Sequence, residues 1–286
     1  KELTVPEIKK LVQQFAEAAL RAKNAGCDFV EVHGAHGYLI TQFLSPFSNQ
    51  RADEYGGSEE KRLKFALDVI AAIRKSVGGD FPVIIRLSAD ELVPGGLTLT
   101  ETVVIAKRLE EAGVDAIHVS IGNYASYPEG LMIPPMAVAD GPLVQLAAGI
   151  KRAVTIPVIA VGKIRDPKMA EKIIAEKQAD FVAIGRTLLA DPEWPNKVQS
   201  GKLNEINPCI ACNQGCISRL FAQQDVWCTV NPANGREEMF SKPIGKKKTV
   251  VVVGGGPAGL SAARAAASRG HRVLLYEKSK YLGGQL

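Results

Sequence analysis

A repeated unit, in which a helical stretch leads into a short and almost wholly apolar run, most constrains how this chain can fold. Amphipathic helical patterns are predicted at residues 6–26, 59–77, 100–112, 143–154, 167–177 and 191–201. The first five lead to apolar runs at residues 29–33, 82–88, 116–120, 157–162 and 181–186. Strands that are apolar throughout are buried on both faces, so the pattern predicts a parallel sheet covered by helices.

Two α/β architectures fit this alternation, an open doubly wound sheet and a (β/α)₈ (TIM) barrel. In a barrel, functional residues gather where each strand ends and the next loop begins. Polar residues and glycines occur repeatedly at those positions, namely His33, Arg86, Ser88, Ser120, Gly162, Lys163, Gly185 and Arg186. We therefore expect a barrel of which this chain supplies the C-terminal five strands, 4 to 8, with the first three upstream.

Four cysteines follow the last of these helices in the spacing C-x₂-C-x₃-C-x₁₁-C: Cys209, Cys212, Cys216 and Cys228. Four thiolates arranged in this way can hold an iron–sulfur cluster. The alternatives are a structural zinc site, which usually pairs C-x₂-C with a second close pair or with histidines, and two disulfides, which are rare inside cells. The spacing favours iron–sulfur. The fifth cysteine, Cys27, is expected to be a small buried apolar residue.

A glycine-rich turn near the end of the sequence has the context of a dinucleotide-binding unit. Gly254-x-Gly256-x-x-Gly259 follows an apolar strand and opens a helix at residues 260–269, and a second strand at residues 272–276 ends at Glu277. This acid lies 18 residues beyond Gly259, near the roughly 20 expected for a carboxylate that binds a ribose hydroxyl. An ordinary glycine-rich turn is the alternative.

The loop after the first strand carries His33, His36 and Tyr38 within six residues. Histidine can donate hydrogen bonds to a carbonyl or carboxylate oxygen, and tyrosine can deliver a proton as a general acid. On spacing alone, the alternative is that these residues only join the loop to the barrel. The pattern therefore makes these three side chains candidates for catalysis on a small molecule.

Charge and hydropathy limit the partners of the chain. The formal net charge is +5, but Lys246–Lys248 is the one basic run, whereas a nucleic-acid surface would need clustering. No apolar run reaches the roughly 20 residues that span a bilayer, and no signal peptide is evident. We expect a cytoplasmic protein with anionic cofactors and without nucleic-acid or membrane partners. Whether it forms a homo-oligomer is left open by the sequence.

The segment HGAHGYLITQFLSPFSNQRADEYGGS at residues 33–58 resembles the signature of the old yellow enzyme family of FMN-dependent ene reductases. With the four cysteines and the GGGPAGL turn, the whole chain is similar to the multi-cofactor branch of that family. This branch includes 2-enoate, 2,4-dienoyl-CoA and bile-acid reductases and trimethylamine dehydrogenase. The resemblance implies an FMN barrel, a 4Fe–4S segment and an FAD/NAD(P)H domain.

By position, the resemblance implies that His33 and His36 bind the activating oxygen of the substrate and that Tyr38 is the proton donor. Arg86 matches the arginine beside the flavin N1/O2 edge. Gly162, Lys163, Gly185 and Arg186 match the FMN phosphate site. The implied FAD residues are Gly254, Gly256, Ala258, Gly259, Glu277 and Gln285.

The domain organisation implied by the resemblance has three parts. Residues 1–205 would be the partial FMN barrel, residues 206–245 the cluster segment and linker, and residues 246–286 the start of the first βαβ of a Rossmann-like FAD domain. The sequence opens without Met and stops after a Gly-Gly turn, which suggests a piece of a longer protein. We expect no turnover by this chain alone.

One departure from the dienoyl-CoA reductases bears on the substrate. Those enzymes have a catalytic histidine in the loop after the third of these strands, where this chain has Tyr124, and they lack the His33/His36 pair. We therefore expect reduction of an activated C=C in an unsaturated acid or enone, with an acyl-CoA substrate or an amine dehydrogenase as alternatives. A non-catalytic, zinc-stapled barrel module is the alternative of a different class.

Overall fold

The computed structural model describes residues 2–129, 131–241 and 244–285. The predicted linker at residues 241–248 therefore lies partly outside the described residues. The chain divides into two compact units, Lys1–Gly185 and Arg186–Leu286. Each unit is described by itself.

The first unit alternates helices and strands as the sequence predicts. Its helices are α1 Val5–Asn24, α2 Leu39–Leu44, α3 Glu59–Val77, α4 Leu99–Glu111, α5 Val144–Lys151 and α6 Pro167–Ala175. Its strands are β1 Val30–Gly34, β2 Val83–Ser88, β3 Ala116–Ser120, β4 Val158–Ala160 and β5 Phe181–Val182. A 3₁₀ turn at Tyr124–Glu129 follows β3.

All five strands are parallel, and they lie in the order β1-β2-β3-β4-β5. A doubly wound sheet reverses its strand order at a switch point, and this sheet does not reverse. The predicted parallel α/β sheet is thus confirmed, and the doubly wound alternative is wrong. Because the strands run the same way, their carboxyl ends lie along one edge.

The register of the sheet places three polar side chains in one row. His33 of β1 lies opposite Arg86 of β2, and Arg86 lies opposite His118 of β3. Side chains directly opposite one another in a sheet point to the same face. A histidine, an arginine and a second histidine therefore share that face.

Helix α1 illustrates how local sequence fixes an element and its packing. Thr4 is its N-cap, as predicted, and forms a capping box with Glu7. The buried face of α1 packs against α3, where the Phe15 and Phe65 rings meet edge to face at 6.4 Å. Apolar burial of this kind stabilises the layer of helices on the sheet.

The second unit contains short helices and a small βαβ element. Its helices are α7 Arg186–Ala190, α8 Trp194–Gln199, α9 Ile217–Phe221, α10 Glu237–Ser241 and α11 Pro257–Ser268. A 3₁₀ turn lies at Leu203–Glu205. Strands β6 Thr249–Val253 and β7 Arg272–Tyr276 pair in parallel, with α11 packed against both.

Some element boundaries differ from the sequence expectation. The predicted strand at residues 181–186 ends at Val182, and Arg186 instead opens a short helix. The strand predicted at residues 157–162 covers Val158–Ala160. In both cases the glycine near the carboxyl end, Gly162 or Gly185, lies beyond the paired residues.

Among the described residues, no helix combines the length and apolarity needed to cross a bilayer.

Candidate functional site

The loop after β1 brings the three predicted catalytic side chains together. His36 and Gly37 both adopt left-handed backbone conformations, with φ of 63° and 74°, and this tight turn folds Tyr38 back over the strand end. The ring centroid of His33 lies 5.2 Å from the ring centroid of His36 and 5.1 Å from that of Tyr38. The three rings therefore form one cluster at the carboxyl edge of the sheet.

Hydrogen bonds to the neighbouring strands fix the position of His36. Its backbone N–H donates to Ser88 Oγ at 2.9 Å, and its Nε2 lies 2.6 Å from Ser120 Oγ. Arg86 Nη2 donates to the same Ser120 oxygen at 3.4 Å. A hydroxyl can accept from arginine and donate to an imidazole at once. In that arrangement the other ring nitrogen of His36 carries the N–H.

Burial and nearby cations keep both histidines of the loop uncharged. Burial, reinforced by the charges of Arg86 and the other histidines, lowers the pKa of His36 to about 3. The pKa of His33 is also lowered, first by burial and then by Arg86. Near neutral pH each ring is therefore a neutral imidazole with one N–H to offer.

Tyr38 has a second tyrosine as its partner. Its phenol oxygen is hydrogen-bonded to that of Tyr124, and the two rings pack edge to face at 5.5 Å. This hydrogen bond is the main cause that raises the pKa of Tyr124. Both rings are exposed in part, 45% for Tyr38 and 53% for Tyr124, so a small molecule can reach the pair.

The buried end of Arg86 fits the edge of an anionic ring system. Its Nε is buried and has no hydrogen-bond partner among the described residues, although a buried guanidinium N–H normally finds an acceptor. Burial lowers the pKa of Arg86, and Glu31 opposes that shift. An unpaired, buried N–H on a cation is the feature expected of a residue that faces the flavin N1/O2 edge.

A histidine–carboxylate pair that sequence reasoning missed lies next to Arg86. His118 Nδ1 donates to Glu31 Oε2 at 2.7 Å, while His118 Nε2 is buried without a partner among the described residues. Burial alone would raise the pKa of Glu31, but the hydrogen bond and the charges of His118 and Arg86 lower it. The period-two spacing of His118 and Ser120 in β3 was the available signal.

Glu91 is a second residue that the sequence did not mark, and it holds the two tyrosine loops. It is 1% exposed, and its carboxylate accepts from Leu97 N at 2.8 Å, from Asn123 Nδ2 at 3.1 Å and from the Ser45 hydroxyl. Ser45 ends the helix that follows Tyr38, and Asn123 precedes Tyr124. The buried carboxylate thus links the segments that carry both phenols.

Lys163 is buried, and its ammonium group binds protein oxygens. Its Nζ donates to the carbonyls of Pro135 at 3.0 Å, Met136 at 3.1 Å and Val138, and lies 3.4 Å from Asp140. This ammonium thus holds the loop that precedes α5. A role for Lys163 at an FMN phosphate, with Gly162 and Gly185, stays a prediction.

In the second unit, the four clustered cysteines line one cavity. Ala211 N donates to Cys209 Sγ at 3.4 Å, and Cys212 Sγ lies 3.1 Å from Thr229 Oγ1. Among the described residues, no three side chains of histidine, cysteine, aspartate or glutamate could hold one metal ion. Four thiols that line one cavity are the donor set that an iron–sulfur cluster would need.

The two ends of the cysteine segment are held together by backbone contact. Trp227 N donates to Gly215 O at 2.8 Å, and a Cβ at Gly215 would lie 2.5 Å from Trp227 O. Only glycine permits this approach, which brings Cys228 beside Cys216. Burial raises the pKa of Cys216, and Cys212 and Cys209 add to the effect, whereas Arg186 opposes it.

Arg186 lies in this second unit and lines the cysteine cavity. Its role at an FMN phosphate stays a prediction.

Cys27 is exposed in the turn after α1, so the expectation of a buried residue is wrong. Gly26, with φ of 85°, turns the chain along the surface at this point.

The glycine-rich turn after β6 has the geometry of a nucleotide-binding unit. A Cβ at Gly259 would lie 1.9 Å from Gly254 O, so the helix can approach the strand only with glycine there. Gly256 is the N-cap of α11, and Ala258 lies in its first turn. Glu277 accepts from Gly255 N at 2.6 Å and from Ser279 N at 2.8 Å, which places the acid beside the turn. Gln285 is exposed.

The neutral state of His36 gives a test by NMR. With a native pKa of about 3 against about 6.5 when unfolded, the His36 ring should keep its chemical shifts from pH 7.5 to pH 5.0. The unfolded state then binds more protons than the native state, so the free energy of unfolding falls as the pH drops from 6.5 towards 3. His36→Asn, which suits a left-handed backbone, identifies the resonance. Titration of the native ring near pH 6.5 would contradict the account.

Comparisons with known proteins give two family matches. Residues 1–205 match the NADH:flavin oxidoreductase / NADH oxidase family, and residues 249–286 match the FAD dependent oxidoreductase family. An NADH oxidase from Thermoanaerobacter brockii is 56% identical over 289 residues, which cover 100% of this chain and 44% of the relative. A cinnamate reductase from Clostridium sporogenes is 42% identical over 302 residues, which cover 100% of this chain and 45% of the relative.

Among solved structures, a 2-naphthoyl-CoA reductase in complex with 2-naphthoyl-CoA superposes with a TM-score of 0.95. It is 39% identical, and the match covers 99% of this chain and 43% of that chain. The chain thus spans less than half the length of these relatives. Because the family match covers residues 1–205, the chain belongs to the NADH:flavin oxidoreductase / NADH oxidase family.

Proposed function

We propose that the protein is an NAD(P)H-dependent flavin and iron–sulfur ene reductase that reduces the activated C=C bond of an enoate or enone. The observation that carries the proposal is the cluster of His33, His36 and Tyr38 at the carboxyl edge of the sheet, two neutral N–H donors beside an accessible phenol. Membership of a flavin oxidoreductase family supports it.

In the proposed organisation, the chain is part of a longer flavin and iron–sulfur reductase. Residues 1–205 would be strands 4 to 8 of an FMN barrel, residues 206–245 the 4Fe–4S segment and residues 246–286 the start of an FAD domain. The sequential parallel sheet supports the first assignment, the cavity lined by four cysteines supports the second, and the match at residues 249–286 supports the third.

The chemistry of the site divides between cofactor and protein. When bound, FMN supplies a hydride for the β-carbon of the alkene, with electrons that come from NAD(P)H by way of FAD and the 4Fe–4S cluster. His33 and His36 donate hydrogen bonds to the carbonyl or carboxylate oxygen and polarise the double bond. Tyr38 then gives its phenolic proton to the α-carbon.

The partner of Tyr38 assists the proton transfer. Once Tyr38 has lost its proton, the Tyr124 hydroxyl can donate a hydrogen bond to the phenolate, and hydrogen bonds to a charged group are about twice as strong as neutral ones. Arg86 would hold the electron-rich edge of the flavin, for which its buried and unpaired Nε is suited. Each residue thus favours a state in which negative charge has developed.

The substrate class follows from the donors and from two relatives. Two neutral imidazoles fit a compact carbonyl or carboxylate oxygen, and a relative named cinnamate reductase acts on an unsaturated acid. A thioester carbonyl would fit the same donors, and the 2-naphthoyl-CoA reductase binds a CoA ester. An unsaturated acid or enone is the first candidate, and an unsaturated acyl-CoA is the second.

The variant Tyr38→Phe tests the role of the Tyr38 hydroxyl as a general acid and leaves the rest of the site in place. The ring stays and the proton is lost, so reduction of the flavin by NAD(P)H in the full-length enzyme should survive, while alkene reduction falls about 10²–10⁴-fold. Anaerobic stopped-flow absorbance measures both half-reactions. Equal loss of both, or loss of neither, would contradict the assignment of Tyr38 as the proton donor.

The same instrument distinguishes the substrate classes. We expect a 2-enoate or an enone to reoxidise the reduced full-length enzyme faster than a 2,4-dienoyl-CoA. A faster reaction with the dienoyl-CoA would move the assignment to thioesters, and reduction of the enzyme by trimethylamine would indicate an amine dehydrogenase.

The cysteine assignment is tested with a matched pair of variants. Cys212→Ser should remove the iron and sulfide from the full-length protein and stop electron transfer between the flavins, because Cys212 lines the cavity. Cys27→Ala should keep the metal, because Cys27 is exposed in the first unit. Iron and sulfide analysis after anaerobic purification measures the difference. Equal loss in both variants, or zinc in place of iron, would contradict the cluster.

A further inference from the structure

The cysteine cavity contains one permanent positive charge. Of the described residues that line it, Arg186 is the one with an arginine or lysine side chain, and Leu189, Ile210 and Trp227 supply apolar surface. Fixed charges act more strongly beside apolar surroundings than in water. A cation in this place therefore changes the electrostatic potential at any group that the four thiolates bind.

A hydrogen bond within the cysteine motif holds the guanidinium in place. Arg186 Nη1 donates to Asn213 Oδ1 at 2.6 Å. Asn213 follows Cys212 and has a left-handed backbone, with φ of 59°, which asparagine tolerates well. The side chain that receives the arginine thus belongs to the loop that carries three of the four cysteines.

The helix that carries Arg186 is fastened to both ends of the cysteine segment. Asn207, two residues before Cys209, donates from Nδ2 to Ala190 O at 2.9 Å and to Val230 O at 2.6 Å. Asn231, three residues after Cys228, donates from Nδ2 to Leu189 O at 2.9 Å. These bonds satisfy the carbonyls at the end of the helix and fix the distance between Arg186 and the cavity.

A cluster held by four thiolates carries net negative charge, and adding an electron makes that charge larger. The reduction potential of such a cluster depends on its ligands, on hydrogen bonds to sulfur, on solvent exposure and on the charge around it. A positive charge fixed at the cavity wall stabilises the reduced form more than the oxidised form. The four thiolates and Arg186 therefore have opposite effects on how easily the cluster accepts an electron.

We propose that Arg186 tunes the cluster, raising its reduction potential through the charge that it places on the wall of the cysteine cavity. This inference rests on the proposed 4Fe–4S cluster, and it differs from the predicted contact of Arg186 with the FMN phosphate. Arg186 is here a positioning and electrostatic residue and not a ligand. One electron enters or leaves the cluster, and no bond to Arg186 forms or breaks.

The test is a dye-mediated potentiometric titration of the anaerobic full-length protein, followed by EPR of the reduced cluster. Arg186→Gln removes the charge, Arg186→Lys keeps it, and Arg236→Gln removes one exposed arginine that does not line the cavity. For Arg186→Gln we expect the equilibrium constant of one-electron reduction to fall on the order of tenfold, about 59 mV. Arg186→Lys should recover most of that shift, and Arg236→Gln should leave the potential unchanged.

Iron, sulfide and FMN are measured on every sample, so that the outcomes stay distinct. Loss of the cluster from Arg186→Gln together with its retention in Arg186→Lys would also support a requirement for charge. An unchanged potential in Arg186→Gln, equal shifts in Arg186→Gln and Arg236→Gln, or cluster loss in both Arg186 variants would overturn the inference. A wild-type protein without iron and sulfide would overturn the proposed cluster itself. Loss of FMN with an unchanged cluster potential would leave Arg186 with the phosphate role alone.

Discussion

The structure depends first on the parallel pairing of five strands in sequential order. That pairing puts the carboxyl ends of β1, β2 and β3 side by side, so that short polar side chains from three distant parts of the sequence can share hydrogen bonds. Ser88 and Ser120 receive His36 in this way, and Ser120 also receives Arg86. A shift of one residue in any pair would turn these side chains to the opposite face.

The same row of side chains sets the electrostatics of the site. Arg86 is a half-buried cation, and the Glu31–His118 pair lies beside it on the same face. A buried charge without compensation is costly, and Glu31 offsets part of that cost, as the lowered pKa of its carboxyl indicates. Burial, and after it the charge of Arg86, lowers the pKa of His33 and of His36. The histidines therefore stay neutral donors, while one donor of Arg86 is left for an anionic group.

Most of the fold could be predicted from the sequence because it follows local periodicity and capping. The Thr4 cap, the helix at residues 59–77 and the strand at residues 116–120 agree with the structure. Strand ends at glycines were predicted less well, because pairing with a neighbouring strand, and not propensity, decides where a strand stops. The cluster of His33, His36 and Tyr38 was accessible as well, since all three lie in one short loop.

Contacts between distant segments were not accessible to sequence reasoning. The Glu31–His118 pair joins residues 87 positions apart, and its only sequence signal is a shared strand face. Glu91, which lies in a third loop, holds the two loops that carry the tyrosines. The burial of Cys27 was predicted from its residue type, whereas the local turn decides that it is exposed. For Arg186, the residue type predicted an anionic partner, but only the folded segment shows that it lines the cysteine cavity.

The central claim, a flavin site and an iron–sulfur centre joined in one protein, is tested most directly by cofactor analysis. The full-length protein would be purified anaerobically, and its FMN, FAD, iron and acid-labile sulfide would be measured per chain. The account predicts one FMN, one FAD and about four each of iron and sulfide, as required by a 4Fe–4S cluster. A colourless protein that contains zinc and no flavin would contradict it.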